Sequence, residues 1–554
     1  MLFCSFVVLF TYFSFTVSSK ESYYKENVYS TFDEMLNSSN PEQQEVVRVT
    51  GKPKPETSSE ESLEEYDHHQ IGKVFLCEEP MFQKFTAAKY INFANTHILS
   101  LSTDCFSGMN ALMRIDLRRN HLTAIDIKTF RTSDEMKVHT LFLGKNFLTQ
   151  IEFSDYTLPD LVNFDLSSNR IRTVRFTTKN LPEILALDMQ NNHIFQFNIE
   201  SETLMRLNFD GNRIISFEGS SLDTPELTSI SLKDNQLITV TADMFVSSPK
   251  LMEIGLARNL MDSIDLRDLK DLEKVNLISS SIRTLSDVKL PESNRIHLTL
   301  DFNKILYLES RGTMRNAEYF SCIFCNIRII DSFFIADIFK NIQDLRLTNN
   351  FITTTNIFDA SEDLELRKIN LMYNKIRKIG ANDFIRLTKV VYLNLMYNDI
   401  STVSEGAFNR MTNLSELNLS NNLIFQLPRN AFESTRLKFL SLDHNNMPFF
   451  RIPGWQEETG QILSSNSPLN KLIILSFTNN PLQCQCLDLI RKWTKDSKIY
   501  LFIEEMSTRM GIKPSCIVND RGCRTDVGKE FVKDYWHYFN DKKVVDIFLE
   551  EEYE

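Results

Sequence analysis

The chain has 554 residues, 42% of them hydrophobic and 24% charged, a balance that excludes wholesale disorder and collagen. Fifteen glycines and fifteen prolines stand against forty-two phenylalanines, a ratio that suits neither a loop-rich chain nor an ordinary globular enzyme and that regular repetition would explain. The net charge of −12 disfavours nucleic acid or an anionic membrane as partner.

Residues 1–19 read as a secretory signal. An uncharged apolar run from Leu2 to Val17 precedes the small residues Ser18 and Ser19, and cleavage is expected after Ser19. No later stretch offers the roughly eighteen uncharged apolar residues of a spanning helix, so a secreted, extracellular chain without a membrane span is expected. Removing Cys4 leaves eight cysteines, an even number suited to an oxidising compartment. Residues 20–70 carry twelve acids against five bases and are expected to be an acidic disordered linker. Residues 71–106 form the amino-terminal cap and first coil, bracketed by Cys77 and Cys105, which are expected to bridge.

Residues 107–482 repeat. LMRIDLRRNHL at 112, LVNFDLSSNRI at 161, LTSISLKDNQL at 227, LRKINLMYNKI at 366 and LSELNLSNNLI at 414 all fit LxxLxLxxNxL. Indexing each copy on its Asn position, n, gives Thr96, Asn120, Asn146, Asn169, Asn192, Asn212, Asn235, Asn259, Ser280, Asn303, Cys325, Asn350, Asn374, Asn398, Asn422, Asn445 and Asn480, seventeen copies in which n−5, n−3 and n+2 are apolar. The mean step is roughly 23 residues. Positions n−5 and n−3 lie two apart and point to one face of a short strand, while n−4 points to the other. One coil cannot close a core; stacked coils bury each other's apolar rows and pair their strands in parallel. Inward Asn side chains can both donate to and accept from the turning backbone. Phe at n+10, as in Phe106, Phe130, Phe245, Phe384, Phe408 and Phe432, is expected to pack the outer side.

This pattern resembles the extracellular leucine-rich repeat family, over residues 88–482. The resemblance implies an α/β solenoid: a curved horseshoe of about seventeen coils with a concave parallel sheet. NNPLQCQCLDLIRKW at 479, followed by Cys516 and Cys523, looks like the cysteine-rich carboxyl cap of that family, here 483–523, and implies bridges Cys484–Cys516 and Cys486–Cys523. After it, 524–554 suits an acidic amphipathic tail. The chain also resembles secreted arthropod leucine-rich immune and adhesion proteins and Toll-type ectodomains.

No HExxH, GxSxG, phosphate loop or Ser/His/Asp grouping appears, and no cofactor or metal motif, so an enzyme is not expected. Cys322 and Cys325 spell CxxC but fall at n−3 and n, pointing inward; buried thiols and a local disulfide are both open readings. Positions n−7, n−6, n−4, n−2 and n−1 project from the sheet, and folding is expected to place no demand on them. Most are small or charged, as in Asp116, Asp165, Ser231 and Asn276. Between coils 303 and 398 they turn aromatic and sulfurous: Phe302, Tyr319, Phe324, Met372, Tyr373, Tyr392, Met396 and Tyr397, with Arg346, Arg367 and Lys368 among them. Such residues suit protein interfaces. They could equally stack on one another across strands, or be covered by the chain's own tails.

Glycosylation signals stand at Asn37, Asn413 and Asn418. The expectation is a non-catalytic recognition protein that binds a protein or a microbial surface molecule on its concave face, with a role in innate immunity. The alternative is a matrix or adhesion component that self-associates as a homo-oligomer.

Overall fold

A computed structural model describes most of residues 82–503, the strands Glu26–Tyr29, Val46–Val49 and Phe75–Cys77, Cys516, and residues 523–538. The chain divides into two compact units, Met1–Leu207 and Asn208–Glu554. The expected signal segment and Asn37 lie outside the described residues.

Both units are parallel β-solenoids with the leucine-rich repeat fold. Each of the seventeen copies contributes a short strand beginning near n−6. In the first unit Tyr90–Asn92, Arg114–Asp116, Thr140–Phe142, Asn163–Asp165 and Ala186–Asp188 pair in chain order, position for position. In the second, pairing runs coil by coil from Ser229–Ser231 to Ile474–Ser476 and on to a further strand, Tyr500–Phe502. The segment 20–70 differs from its reading as a disordered linker at eight residues. Glu26–Tyr29 pairs with Val46–Val49, which pairs with Tyr90–Asn92. Net acidity hid the β-branched run Val46, Val47, Val49, and Val47 is buried.

The phase of the repeat is the one its spacing dictates. In every copy n−5, n−3 and n+2 are no more than 2% exposed. Little helix faces them from the outer side. Among the described residues, a coil of this length holds 3-10 turns such as Ile127–Phe130 and Ala242–Phe245, paired strands of a few residues such as Lys378–Ile379 with Thr402–Val403, and one short helix, α1, Phe334–Ile338. The n+10 phenylalanines fill the space behind them: Phe384, Phe408 and Phe432 are buried, their rings 5.9 and 5.8 Å apart in sequence.

Asn side chains lace the coils together. Asn374 Oδ1 accepts from Ile352 N at 3.0 Å while its Nδ2 donates to Leu347 O and Leu371 O at 2.9 and 3.0 Å. This satisfies backbone groups that the turn would strand in the core. At Ser280 the ladder fails, because its Oγ is too short to reach and makes no hydrogen bond.

Beyond the last repeat, helix α2, Cys484–Asp496, buries Cys486, Leu487, Ile490 and Trp493, the spacing of one helical face. Bridges join Cys77 to Cys105, Cys484 to Cys516 and Cys486 to Cys523. The long step between 445 and 480 carries a hairpin, Trp455–Gln456 with Gln461–Ile462, and helix α3 runs from Lys529 to Tyr538.

Candidate functional site

Two of the projecting positions prove to be structural, contrary to the expectation that folding leaves them free. At n−4, an Asn or Asp side chain accepts from the n−2 amide of its own coil in nine copies, as Asn370 does from Met372 N at 3.1 Å. These are Asx turns that end nine of the seventeen strands. Three coils with Ser at n−4 solve the same problem differently: the n−2 Asp of the preceding coil takes the amide, Asp210 from Lys233 N, Asp301 from Ile323 N and Asp443 from Thr478 N. Asp116, Asp165 and Asn276 therefore report on folding.

Position n−1 is left-handed throughout, with φ between 51° and 65°. Asn, Gly and Asp adopt this readily; for a bulky side chain it costs about 1–2 kcal/mol. Seven copies carry Asn, Gly or Asp there: Asn95, Asn191, Gly211, Asp234, Asn349, Asn421 and Asn479. Phe302, Phe324, Tyr373 and Tyr397 occupy it against that preference.

The eleven residues expected to form a patch lie on five consecutive coils of the second unit, their six aromatic members in two columns. The n−1 column reads Phe302, Phe324, Asn349, Tyr373, Tyr397. Phe302 stacks on Phe324 at 5.1 Å and Tyr373 on Tyr397 at 4.3 Å, yet Phe302, Phe324 and Tyr373 remain 56, 45 and 36% exposed. Stacking across strands is thus real and leaves ring edges open. The n−6 column holds Tyr319, half-buried beneath the Arg346 guanidinium at 5.0 Å, and Tyr392, whose hydroxyl accepts from Asn394 Nδ2 at 3.1 Å. Burial raises both phenols above the ordinary tyrosine range. Between the columns lie Met372 and Met396, with Asn394 Nδ2 and Asn418 Nδ2 at 3.8 and 3.6 Å from their sulfurs.

Charge is supplied unevenly. Arg346 is paired with Asp344 at 3.0 Å, and that hydrogen bond raises its pKa. Arg367 and Lys368 are exposed, with no carboxylate partner among the described residues. The repeat index did not single out three neighbours. Asp301 holds the Ile323 amide and has its pKa raised by burial; Thr348 keeps a buried Oγ1 without a partner; His297 lies 5.7 Å from the Tyr319 ring. All three sit at n−2 or n−6 of the same coils, which is the signal that would have found them.

Asn413 is exposed, its Nδ2 on Thr388 O at 2.9 Å, while Asn418 is half-buried and uses its Oδ1 to cap Ser420 N. Cys322 and Cys325 are fully buried and bonded to each other. With its sulfur in the bridge, Cys325 has no proton for Leu300 O, 3.2 Å away. Its own amide is held by Asn350 Oδ1.

Two stretches match described families: residues 393–447 match "Leucine rich repeat" and residues 73–182 "BspA type Leucine rich repeat region (6 copies)". Both stretches lie within the solenoid, whose leucine-rich repeat fold and Asn ladder extend beyond them. A probable disease resistance protein of Arabidopsis thaliana is 31% identical over 109 residues, a stretch that spans 19% of this chain and only 13% of that protein. Among solved structures, a leucine-rich repeat protein of Leptospira interrogans is 18% identical with a TM-score of 0.44, covering 86% of this chain and 100% of the other. YopM of Yersinia enterocolitica is 17% identical with a TM-score of 0.47, covering 72 and 79%. The Toll–Spatzle complex of Drosophila contains a chain 18% identical with a TM-score of 0.48, covering 76 and 59%. No helix among the described residues is long and apolar enough to cross a membrane.

Proposed function

We infer that this is an exported, non-catalytic recognition protein that captures a protein ligand on the strand face between coils 303 and 398. One observation carries the reading: four large aromatic rings sit at a left-handed position that Asn or Gly would fill at lower conformational cost. Folding does not call for them there, and three of the four keep over a third of their surface open. Their stacking holds the rings in place before any ligand arrives, which lowers the ordering entropy that opposes binding. Unpaired Arg367 and Lys368 beside them favour a ligand with acidic groups. The uncharged leader expected over 1–19 and the four disulfides support export. A ligand from a microbial surface, and a role in innate immunity, belong to the same reading.

The test is capture of extracellular protein by the full chain and by a Tyr373→Asn/Tyr397→Asn double variant. A species held by the first and lost by the second supports the assignment. Identical capture by both removes it. A second reading, an adhesion component that self-associates, draws on the final strand, where Tyr500 and Phe502 are exposed. Sedimentation separates the two: a monomer at micromolar concentration excludes self-assembly.

A further inference from the structure

The negative charge of the chain is not evenly spread. Where strands of the first unit end, each coil passes through positions n−2 to n+3. Over coils 96, 120, 146, 169 and 192 these stretches hold Arg118, Arg119, Lys145, Arg170 and Arg172, with His97, His121 and His193, and contain no Asp or Glu. All five cations are exposed, as are His97 and His121. The same stretches of the second unit are broken by Asp210, Asp234, Asp262 and Asp301.

The sign reversal is reinforced by what surrounds it. Asp116, Asp165 and Asp188, the acids on the adjoining strands, are turned to the n−2 amides they cap. The Asp116 side chain is fully buried beneath Arg118, to which it is paired. Arg119, Lys145 and Arg172 have no acidic partner among the described residues.

Alongside them runs a ladder of one flat group per coil: His97 on His121 at 5.4 Å, His121 on Phe147 at 5.7 Å, and the Arg170 guanidinium 4.5 Å over Phe147. Its members set their faces toward one another, and the exposed imidazoles of His97 and His121 carry N–H donors. A nucleic acid would want open aromatic faces on which to stack its bases. Anionic groups on a saturated backbone need only the donors and the charge. Coils stacked about 4.8 Å apart repeat those cations along the array, as a polymer with anionic groups on successive units would require.

We propose that the strand-end edge of the first unit, centred on Arg119, Lys145 and Arg170, binds an acidic polysaccharide, of which sulfated glycans are the type. This surface is separate in the chain from the aromatic patch and stands or falls independently of it.

Heparin is the probe, with the full chain, in retention on a heparin column and in titrations over a range of NaCl. The parent chain is expected to bind with an affinity that falls steeply with salt. In the Arg119→Asn/Lys145→Asn variant each left-handed position receives the residue that Asn95 and Asn191 already place there. Affinity should drop about tenfold or more, and the salt slope by about two, one for each lost contact. Arg172→Ser, a second exposed variant, should lower the slope by about one with the same melting temperature. Tyr373→Asn/Tyr397→Asn should leave heparin binding unchanged, so failure of the aromatic patch and failure of this surface are read separately. The proposal is overturned if the parent passes unretained at low salt or if the double variant elutes with the parent. Tighter binding of single-stranded RNA than of heparin would overturn it too, by assigning the edge to nucleic acid.

Discussion

Tyr373 and Tyr397 lie ring on ring, 4.3 Å apart and 6° from parallel, each on a backbone turned left-handed. Stacking and backbone strain oppose one another in this pair. Replacing Tyr373 by Asn removes a contact of about 0.5–1.5 kcal/mol and relieves a strain of about 1–2 kcal/mol. Stability in urea should therefore fall by no more than about 0.5 kcal/mol or rise by up to about 1.5 kcal/mol. A larger loss would mean that the rings are there to hold the fold.

Ser280 interrupts the Asn ladder, and Met261 N, the amide that an Asn Oδ1 would take, has no hydrogen bond among the described residues. Ser280→Asn should therefore stabilise by about 1–2 kcal/mol, seen as a higher urea midpoint with an unchanged slope. The opposite change, Asn374→Ala, strands Ile352 N and removes a donor from Leu347 O and Leu371 O; a loss of about 2–4 kcal/mol is expected. If Ser280→Asn lowers the midpoint, the ladder is not the limiting interaction at that coil.

Asp301 tests the charge side of the strand-end caps. Burial raises its pKa above the usual carboxylate range, so the folded state holds a proton more tightly than the unfolded chain. Its contribution is fully favourable below the unfolded value near 4 and is lost as pH rises through the folded value. Asp301→Asn keeps an oxygen for Ile323 N without a charge. Melting temperatures measured from pH 4 to 7 should decline less in this variant than in the parent. A steeper decline would refute the assignment.

The Cys322–Cys325 bridge stands in for an Asn that could serve Leu300 O. Cys322→Leu/Cys325→Asn restores the repeat consensus, and thermal melting should match or exceed that of the oxidised parent. A clear fall would show that the bridge contributes more to this coil than an Asn does.

How much of this the sequence disclosed can be traced to particular residues. The Leu-x-Leu spacing set the burial of Leu393 and Leu395 and the outward turn of Tyr397, because period 2 permits only one phase against an apolar core. The strand Val46–Val49 was obscured because composition averaged over an acidic segment hides four residues. The Asx turns escaped notice for a different reason. A hydrogen bond from n−4 to n−2 leaves no apolar period, and its Ser variant depends on an Asp a whole coil earlier, as Ser321 depends on Asp301. The aromatic columns could be read, but the left-handed backbone beneath them could not, since Tyr and Phe conceal a turn that Asn or Gly would have announced.

The two ways of ending a strand also constrain how such an array can lengthen. A coil with Asn at n−4, such as the one carrying Asn394, is self-contained and could be copied or deleted alone. The coils of Ser321 and Ser476 are not, because the carboxylate that completes each belongs to its predecessor. Duplicating Ser321 without Asp301 would give the new neighbour an orphan amide. Unequal crossing-over that copies both coils of such a pair keeps the amide capped, so the chain carries, written into its turns, a grammar of preferred insertions.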